Sequence, residues 1–295
     1  MNELFETRAL PVTFPQVEPL LKILHTEWNP SVRYYDGPTQ ELLAAFSDYI
    51  KPSVQIDNLH SYTPLPSQGT TGSFHTFYLM NSHKQLLLLP GEYPYHEQVF
   101  RKLGKRVQHW NLEKPSKESY LILSQPFSGD GNILENYDRM IELCEQWNID
   151  VLLDLSFFAL TDKKIQIKKS EKIKAICFSL SKMFDVGNFR LGITYWNNTL
   201  DVPEYVLRQW TYENHFSSFL ATNLLQELSM PRMRAEAQKI QKSICTRYNL
   251  TPSDTYLFGL SEDLKWSSFF RKKGLARICL SKIINQELIN QMEPK

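Results

Sequence analysis

The chain has 295 residues, room for about two domains and a sizeable core, which excludes a peptide-sized module. With 33 basic and 32 acidic side chains the formal charge is +1, which argues against a surface built to coat nucleic acid or anionic lipid by charge alone and leaves a small molecule as the default partner. Hydrophobic residues make up 42% and charged residues 22%, the balance of a globular protein rather than a disordered one.

In chain order, the N-terminal MNELFETRALPVTF carries acids where a secretory leader needs a basic region and an apolar run. No apolar stretch approaches the roughly 20 residues that cross a bilayer. Together with four scattered cysteines (Cys144, Cys177, Cys245, Cys279) that lack metal or redox spacing, this predicts a cytoplasmic protein with buried free thiols. The first core helix is expected at 39–50, behind an Asp36-Gly37-Pro38 turn. Apolar runs at 85–90, 120–124, 151–155, 174–179 and 191–195 read as strands buried on both faces, the pattern of a parallel sheet. Between two of them, Ile133, Tyr137, Met140, Ile141, Cys144 and Trp147 recur at helical steps and give one apolar face to pack on that sheet. Strand, helix, strand predicts an α/β three-layer sandwich. After Tyr195 come helices at 203–214, 216–229 and 231–248, two short strands (TYLFGL and LARICLS) and a closing helix, read as a small α+β domain. The expected division is an N-terminal segment, 1–33, packing with the small domain, a large domain over 34–205, and connecting helices plus the small domain over 206–295.

The segment KAICFSLSKMFDVGNFRLG, 174–192, ends a buried strand in Ser179-Leu180-Ser181-Lys182, followed by Gly187, Arg190 and Gly192. At the carboxyl end of a parallel strand, hydroxyls, a lysine and an arginine would converge on the crevice where open α/β sheets bind ligands. This segment resembles the lysine motif of the fold type I pyridoxal-phosphate enzymes, the aspartate aminotransferase-like superfamily, in which an arginine and a glycine follow the lysine by eight and ten positions. The resemblance implies that Lys182 forms a Schiff base with the aldehyde of pyridoxal 5′-phosphate, while Ser179 and Arg190 hold the phosphate. Taken alone, the string also describes a solvated loop lysine.

Further motifs follow in family order. Asp154 ends the buried strand VLLDL; the resemblance pairs it with the pyridine nitrogen, and the alternative is a cap on the next helix. QGTTGSFHTFYLM resembles the turn that opens a helix towards the phosphate, with Thr71, Gly72 and Ser73 as contacts. In LLLLPGEYPYHEQVF, Tyr93 corresponds to the ring that stacks on the pyridine and His96 to a neighbour of the ring-nitrogen aspartate; a core aromatic and a surface helix residue are the alternatives. VRYYDGPTQELLAAF resembles the segment that sends a tyrosine, Tyr35 or else Tyr34, into the neighbouring subunit's phosphate site, which implies a homodimer. LARICLS resembles the strand whose arginine, Arg277, grips the substrate α-carboxylate.

Two family positions are changed. Ser128 stands where an asparagine usually meets the cofactor's phenolic oxygen, and Phe157 where many relatives place a tyrosine that donates to the same atom. The chain is also short for the family. The expected activity is an aminotransferase acting on an amino acid or amine, with a decarboxylase, lyase or ring-forming enzyme as the alternative and a non-catalytic relative as a third reading. Arg33, His75 and Tyr212 are named for side-chain recognition only by their nearness to motifs.

Overall fold

The computed structural model describes residues 4–28, 37–272 and 274–291. Helices α1 (Val17–Glu27) and α2 (Gly37–Ile50) precede strand β1 (Val54–Ile56) and strand β2 (Tyr62–Gln68). Helix α3 (Gly69–Met80), β3 (Gln85–Leu88), α4 (Tyr95–Lys102), β4 (Gln108–His109), β5 (Ser119–Ser124), α5 (Tyr137–Gln146), β6 (Asp150–Asp154), β7 (Ile165–Ile167), β8 (Ile173–Ser179), the single turn α6 (Ser181–Phe184) and β9 (Leu191–Asn197) follow. A seven-stranded sheet in the order β2-β9-β8-β6-β5-β3-β4 forms the centre. β4, β3, β5, β6 and β8 run parallel, so their carboxyl ends share one edge.

The strands are buried on both faces, as side-chain alternation along β5 illustrates: Leu121 and Leu123 face a core with Phe46 of α2 and Met140 and Cys144 of α5, while Tyr120 and Ile122 face Phe74 and Phe77 of α3 and Phe100 of α4. This is the helix-sheet-helix sandwich that the apolar runs predict. Ile133 lies ahead of α5 rather than within it, still packed on the core.

One strand departs from the parallel expectation. β9, the 191–195 run, is antiparallel to both β8 and β2. The stretch between Ser179 and Leu191 holds only α6 and a 3-10 turn, too little chain for a parallel crossover, which takes a dozen or more residues. β2 escaped the periodicity because Pro64 and Pro66 interrupt it; it lies at the sheet edge, where a proline's missing N–H does least harm.

The remainder comprises α7 (Pro203–Gln209), α8 (His215–Glu227), α9 (Met230–Tyr248), β10 (Thr251–Pro252), β11 (Phe258–Ser261), β12 (Phe270–Lys272), β13 (Leu275–Cys279) and α10 (Ser281–Asn290), with a second sheet ordered β10-β11-β13-β12. α8 lies against α2 of the larger layer. The N-terminal segment runs along the small sheet: Cys279 N donates to Glu6 O at 2.9 Å, Ser281 Oγ to Leu10 O at 2.6 Å and Thr13 N to Asn285 Oδ1 at 2.9 Å. All four cysteines are buried and free.

Candidate functional site

A cavity of about 430 Å³ opens between the carboxyl edge of the parallel strands, the small sheet and the N-terminal segment Arg8–Pro11. Asp154, Ser124 and Ser179 reach it from the ends of β6, β5 and β8, and Thr70 and Thr71 from the first turn of α3. Tyr93, Ser128, Phe157, Lys182, Arg190, Arg271 and Arg277 complete the chemically informative part of its lining. Sequence-distant residues meet here because every parallel strand delivers its last residue to the same edge.

Asp154 is 6% exposed. Its Oδ1 accepts from Ser156 N at 2.9 Å and Ser156 Oγ at 2.6 Å, whereas Oδ2 takes no hydrogen bond among the described residues. Burial pushes this carboxyl up to about 7; the Ser156 bonds oppose the shift and the nearby Glu92 carboxylate adds to it. Glu92 is itself buried and held above the usual carboxylate range by desolvation. Both of its oxygens accept from Ser124 Oγ, with Ser124 N at 2.9 Å and Tyr93 N at 2.8 Å as further donors. An ionised Asp154 would need a cationic or N–H partner on its open oxygen.

The start of α3 forms an anion cradle. Gly69 takes φ +66°, and a Cβ there would stand 2.5 Å from Arg190 Nη2. Glycine is required on both counts. The Arg190 guanidinium donates to Gln68 O at 3.1 Å, Gly187 O at 3.1 Å and Thr71 Oγ1 at 3.4 Å, so it is locked beside the free amides of the helix. Gly192, two residues on, admits this approach: its Cβ would meet Gly69 Cα at 2.8 Å and Phe178 O at 2.9 Å. Thr70 Oγ1 lies 3.1 Å from Ser156 Oγ, which links the cradle to Asp154.

Lys182 rises from α6, where its ammonium donates to Ala9 O on the N-terminal segment. Burial lowers its pKa, and the positive charges of Arg277 and Arg190 act in the same direction. Such an amine is a better nucleophile and base near neutral pH than a solvated lysine. Ser179 Oγ accepts from Ser181 N at 3.2 Å at the mouth of β8.

Arg277 is 2% exposed on β13, so it is no solvated edge residue. It donates to Ser128 O and to Thr7 O, lies over the Phe258 ring at 4.3 Å, and leaves Nε without a partner among the described residues. Burial pushes its pKa down to about 9, and Arg271 adds to the effect. Phe157 stands edge-on to Phe258 at 5.5 Å.

Not every expected residue joins the cavity. Gly72 and Ser73 do not line it, and Ser73 Oγ bonds Thr194 in the core instead; Gly69, Thr70 and Thr71 occupy the turn that faces the site. The positive-φ glycine one residue before Thr70 is the signal that places that turn. His96 bonds Tyr78 OH through Nδ1 and no hydrogen bond joins it to Asp154 among the described residues; desolvation holds its pKa down to about 3. His75 bonds Tyr95 OH at 2.6 Å and lies outside the lining, as does Tyr212. Arg33, Tyr34 and Tyr35 fall outside the described residues. Glu92, Ser124 and Arg271 carry no sequence signal of their own; Arg271 sits in an Arg-Lys-Lys run that reads as solvated surface. Among the described residues no cluster of His, Cys, Asp and Glu is placed to hold a metal, and no helix is long and apolar enough to cross a membrane.

No family model and no curated protein matches the sequence. Solved structures do match. An aminotransferase from Mycobacterium tuberculosis superposes with a TM-score of 0.70 at 14% identity, covering 97% of this chain and 89% of that one. The chain has the fold type I architecture of pyridoxal-phosphate transferases. A probable N-succinyldiaminopimelate aminotransferase from Thermus thermophilus matches with a TM-score of 0.68 at 15% identity over 96% of this fold type I chain and 90% of that one. A pyridoxal-phosphate-bound C-S lyase from Staphylococcus hominis, complexed with the inhibitor L-cycloserine, gives 0.69 at 12% identity over 99% and 89%.

Proposed function

We propose that this fold type I chain is a pyridoxal-phosphate-dependent enzyme acting on an amino acid or amine, and that its reaction is transamination. The observation that carries the reading is the convergence, in one cavity, of a desolvated lysine with a buried carboxylate whose Oδ2 has no hydrogen-bond partner among the described residues. The residues present fit the cofactor. Asp154 offers its open oxygen to a protonated ring nitrogen, and the cradle of Gly69, Thr70, Thr71 and Arg190 suits a phosphate, with Ser179 beside it. When bound, the cofactor supplies an electron sink for the bond broken at the substrate α-carbon.

The protein's own groups have distinct tasks. Lys182 Nζ would hold the cofactor and would be the group that moves a proton at the substrate α-carbon, a role suited to its lowered pKa. Asp154 would hold a protonated ring nitrogen. Arg277 aligns the α-carboxylate, with Nε free to join the contact. Tyr93 offers a ring at the cavity wall, and Ser128 and Phe157 flank it where asparagine and tyrosine are usual. The changed pair, together with likeness to a C-S lyase, supports elimination as the second reading.

A symmetric, cytoplasmic homodimer belongs to the same proposal. Val206, Leu207, Trp210 and Tyr212 form an apolar run between 41% and 63% exposed, which a second copy could cover, and Tyr35 would then serve the neighbour's phosphate. The test is to add pyridoxal 5′-phosphate to purified protein, record the visible absorbance and reduce with borohydride. Covalent trapping should occur in the native chain and vanish in Lys182→Ala, while phosphate contacts persist. A colourless protein that gains no thermal stability from the cofactor overturns the reading. Conversion of cofactor to its amine form without loss of carbon dioxide or sulfide separates transamination from the alternatives.

A further inference from the structure

The cavity holds more positive charge than the proposed reaction uses. Arg190 is committed to the phosphate cradle, Lys182 to the chemistry and Arg277 to one carboxylate, which leaves Arg271. Its Nη2 is buried with no hydrogen-bond partner among the described residues, and burial lowers its pKa. Glu92 is near enough to act on it electrostatically, yet the Glu92 oxygens are engaged by Ser124 and Tyr93, and no ion pair joins the two among the described residues. Arg271 itself is half-buried on β12, and a guanidinium whose buried Nη2 goes unused is costly unless a ligand completes it.

Arg271 is also held in place. Its strand, β12, pairs with β13 through Phe270 opposite Ala276, and Lys272 Nζ bridges Asp130 Oδ2 at 2.8 Å, which ties β12 to the loop that carries Ser128. β12 and β13 lie side by side, so Arg271 and Arg277 present two guanidinium groups to one cavity, close enough that the Arg271 charge helps lower the Arg277 pKa. Two such groups match a substrate with two separated anionic groups better than one with a neutral side chain.

We infer that Arg271 selects amino acids whose side chain ends in an anionic group, a carboxylate or a phosphate. The inference rests on the proposed pyridoxal-phosphate chemistry. The test compares L-glutamate, O-phospho-L-serine and L-alanine as amino donors for the cofactor-loaded protein and for Arg271→Gln and Arg271→Lys, with succinate binding followed by calorimetry. In the native protein at least one anionic donor should exceed alanine in kcat/KM; glutamate ahead of phosphoserine identifies a carboxylate, and the reverse a phosphate. Arg271→Gln should lose roughly a hundredfold on the preferred anionic donor and less than about threefold on alanine, with the cofactor spectrum unchanged. Succinate binding should weaken at least tenfold, and Arg271→Lys should recover part of both losses. Equal losses on all three donors, or a native preference for alanine, overturn the assignment while the cofactor chemistry stands. Failure of the native protein to take up pyridoxal phosphate overturns the proposed reaction and this assignment with it.

Discussion

Asp154→Asn tests the electrostatics of the site without needing a substrate. In the unfolded chain the carboxyl titrates near 3.8, and in the folded cofactor-free protein near 7, chiefly because it is desolvated. Between those values the native state keeps a proton that the unfolded state has released, so stability falls as pH rises through this window and levels off above pH 7. At about 1.4 kcal/mol per pKa unit, a rise of roughly three units is worth about 4 kcal/mol. Asparagine keeps the shape and can accept the Ser156 bonds but cannot ionise. The variant should therefore match the native chain at pH 4.5 and exceed it by up to about 4 kcal/mol at pH 8. Urea unfolding of both proteins without cofactor, at pH 4.5, 6, 7 and 8, measures the difference directly. The same substitution should lower affinity for pyridoxal phosphate, since an amide cannot hold the charge of a protonated ring nitrogen. A stability difference between the two proteins that does not change with pH would refute the account of a desolvated carboxylate awaiting a partner.

Two further outcomes follow from the cradle and the altered wall. Gly69→Ala forces an L-residue to φ +66° and drives its Cβ into Arg190; stability should fall by about 1–2 kcal/mol and cofactor affinity by at least tenfold, read by thermal melts and absorbance titration. Phe157 lines the cavity and, in the proposed placement of the cofactor, would offer no hydroxyl to its phenolic oxygen, so the chromophore of the loaded protein should stay protonated to higher pH than in ordinary aminotransferases. Phe157→Tyr should lower that transition by about one pH unit, a hydrogen bond's worth; full deprotonation of the native chromophore at neutral pH would sink this reading.

Some of the site was readable in the sequence through its resemblance to a family motif. Lys182, Arg190 and Gly192 lie close together in the chain, and the turn they build is local: Arg190 reaches back to Gly187, and Gly192 must lack a Cβ because strand β2 ends against it. The strand ends bearing Asp154 and Ser179 were equally legible, since a continuous apolar run stopped by a polar residue marks where a parallel strand leaves the sheet. Of Thr71, Gly72 and Ser73, Thr71 alone lines the cavity, because QGTTG offers two glycines and only backbone geometry distinguishes Gly69, at positive φ, from Gly72 inside the helix.

Local pattern therefore determined the layers and the main strands, and the motif resemblance singled out Lys182: apolar periodicity and glycine constraints are properties of neighbouring residues. Tertiary structure alone decided the direction of β9, the commitment of His96 to Tyr78, and the meeting of Arg271 with Arg277 at one cavity. Those depend on contacts between segments far apart in the chain, and on burial, which turns ordinary charged side chains into groups that need a partner.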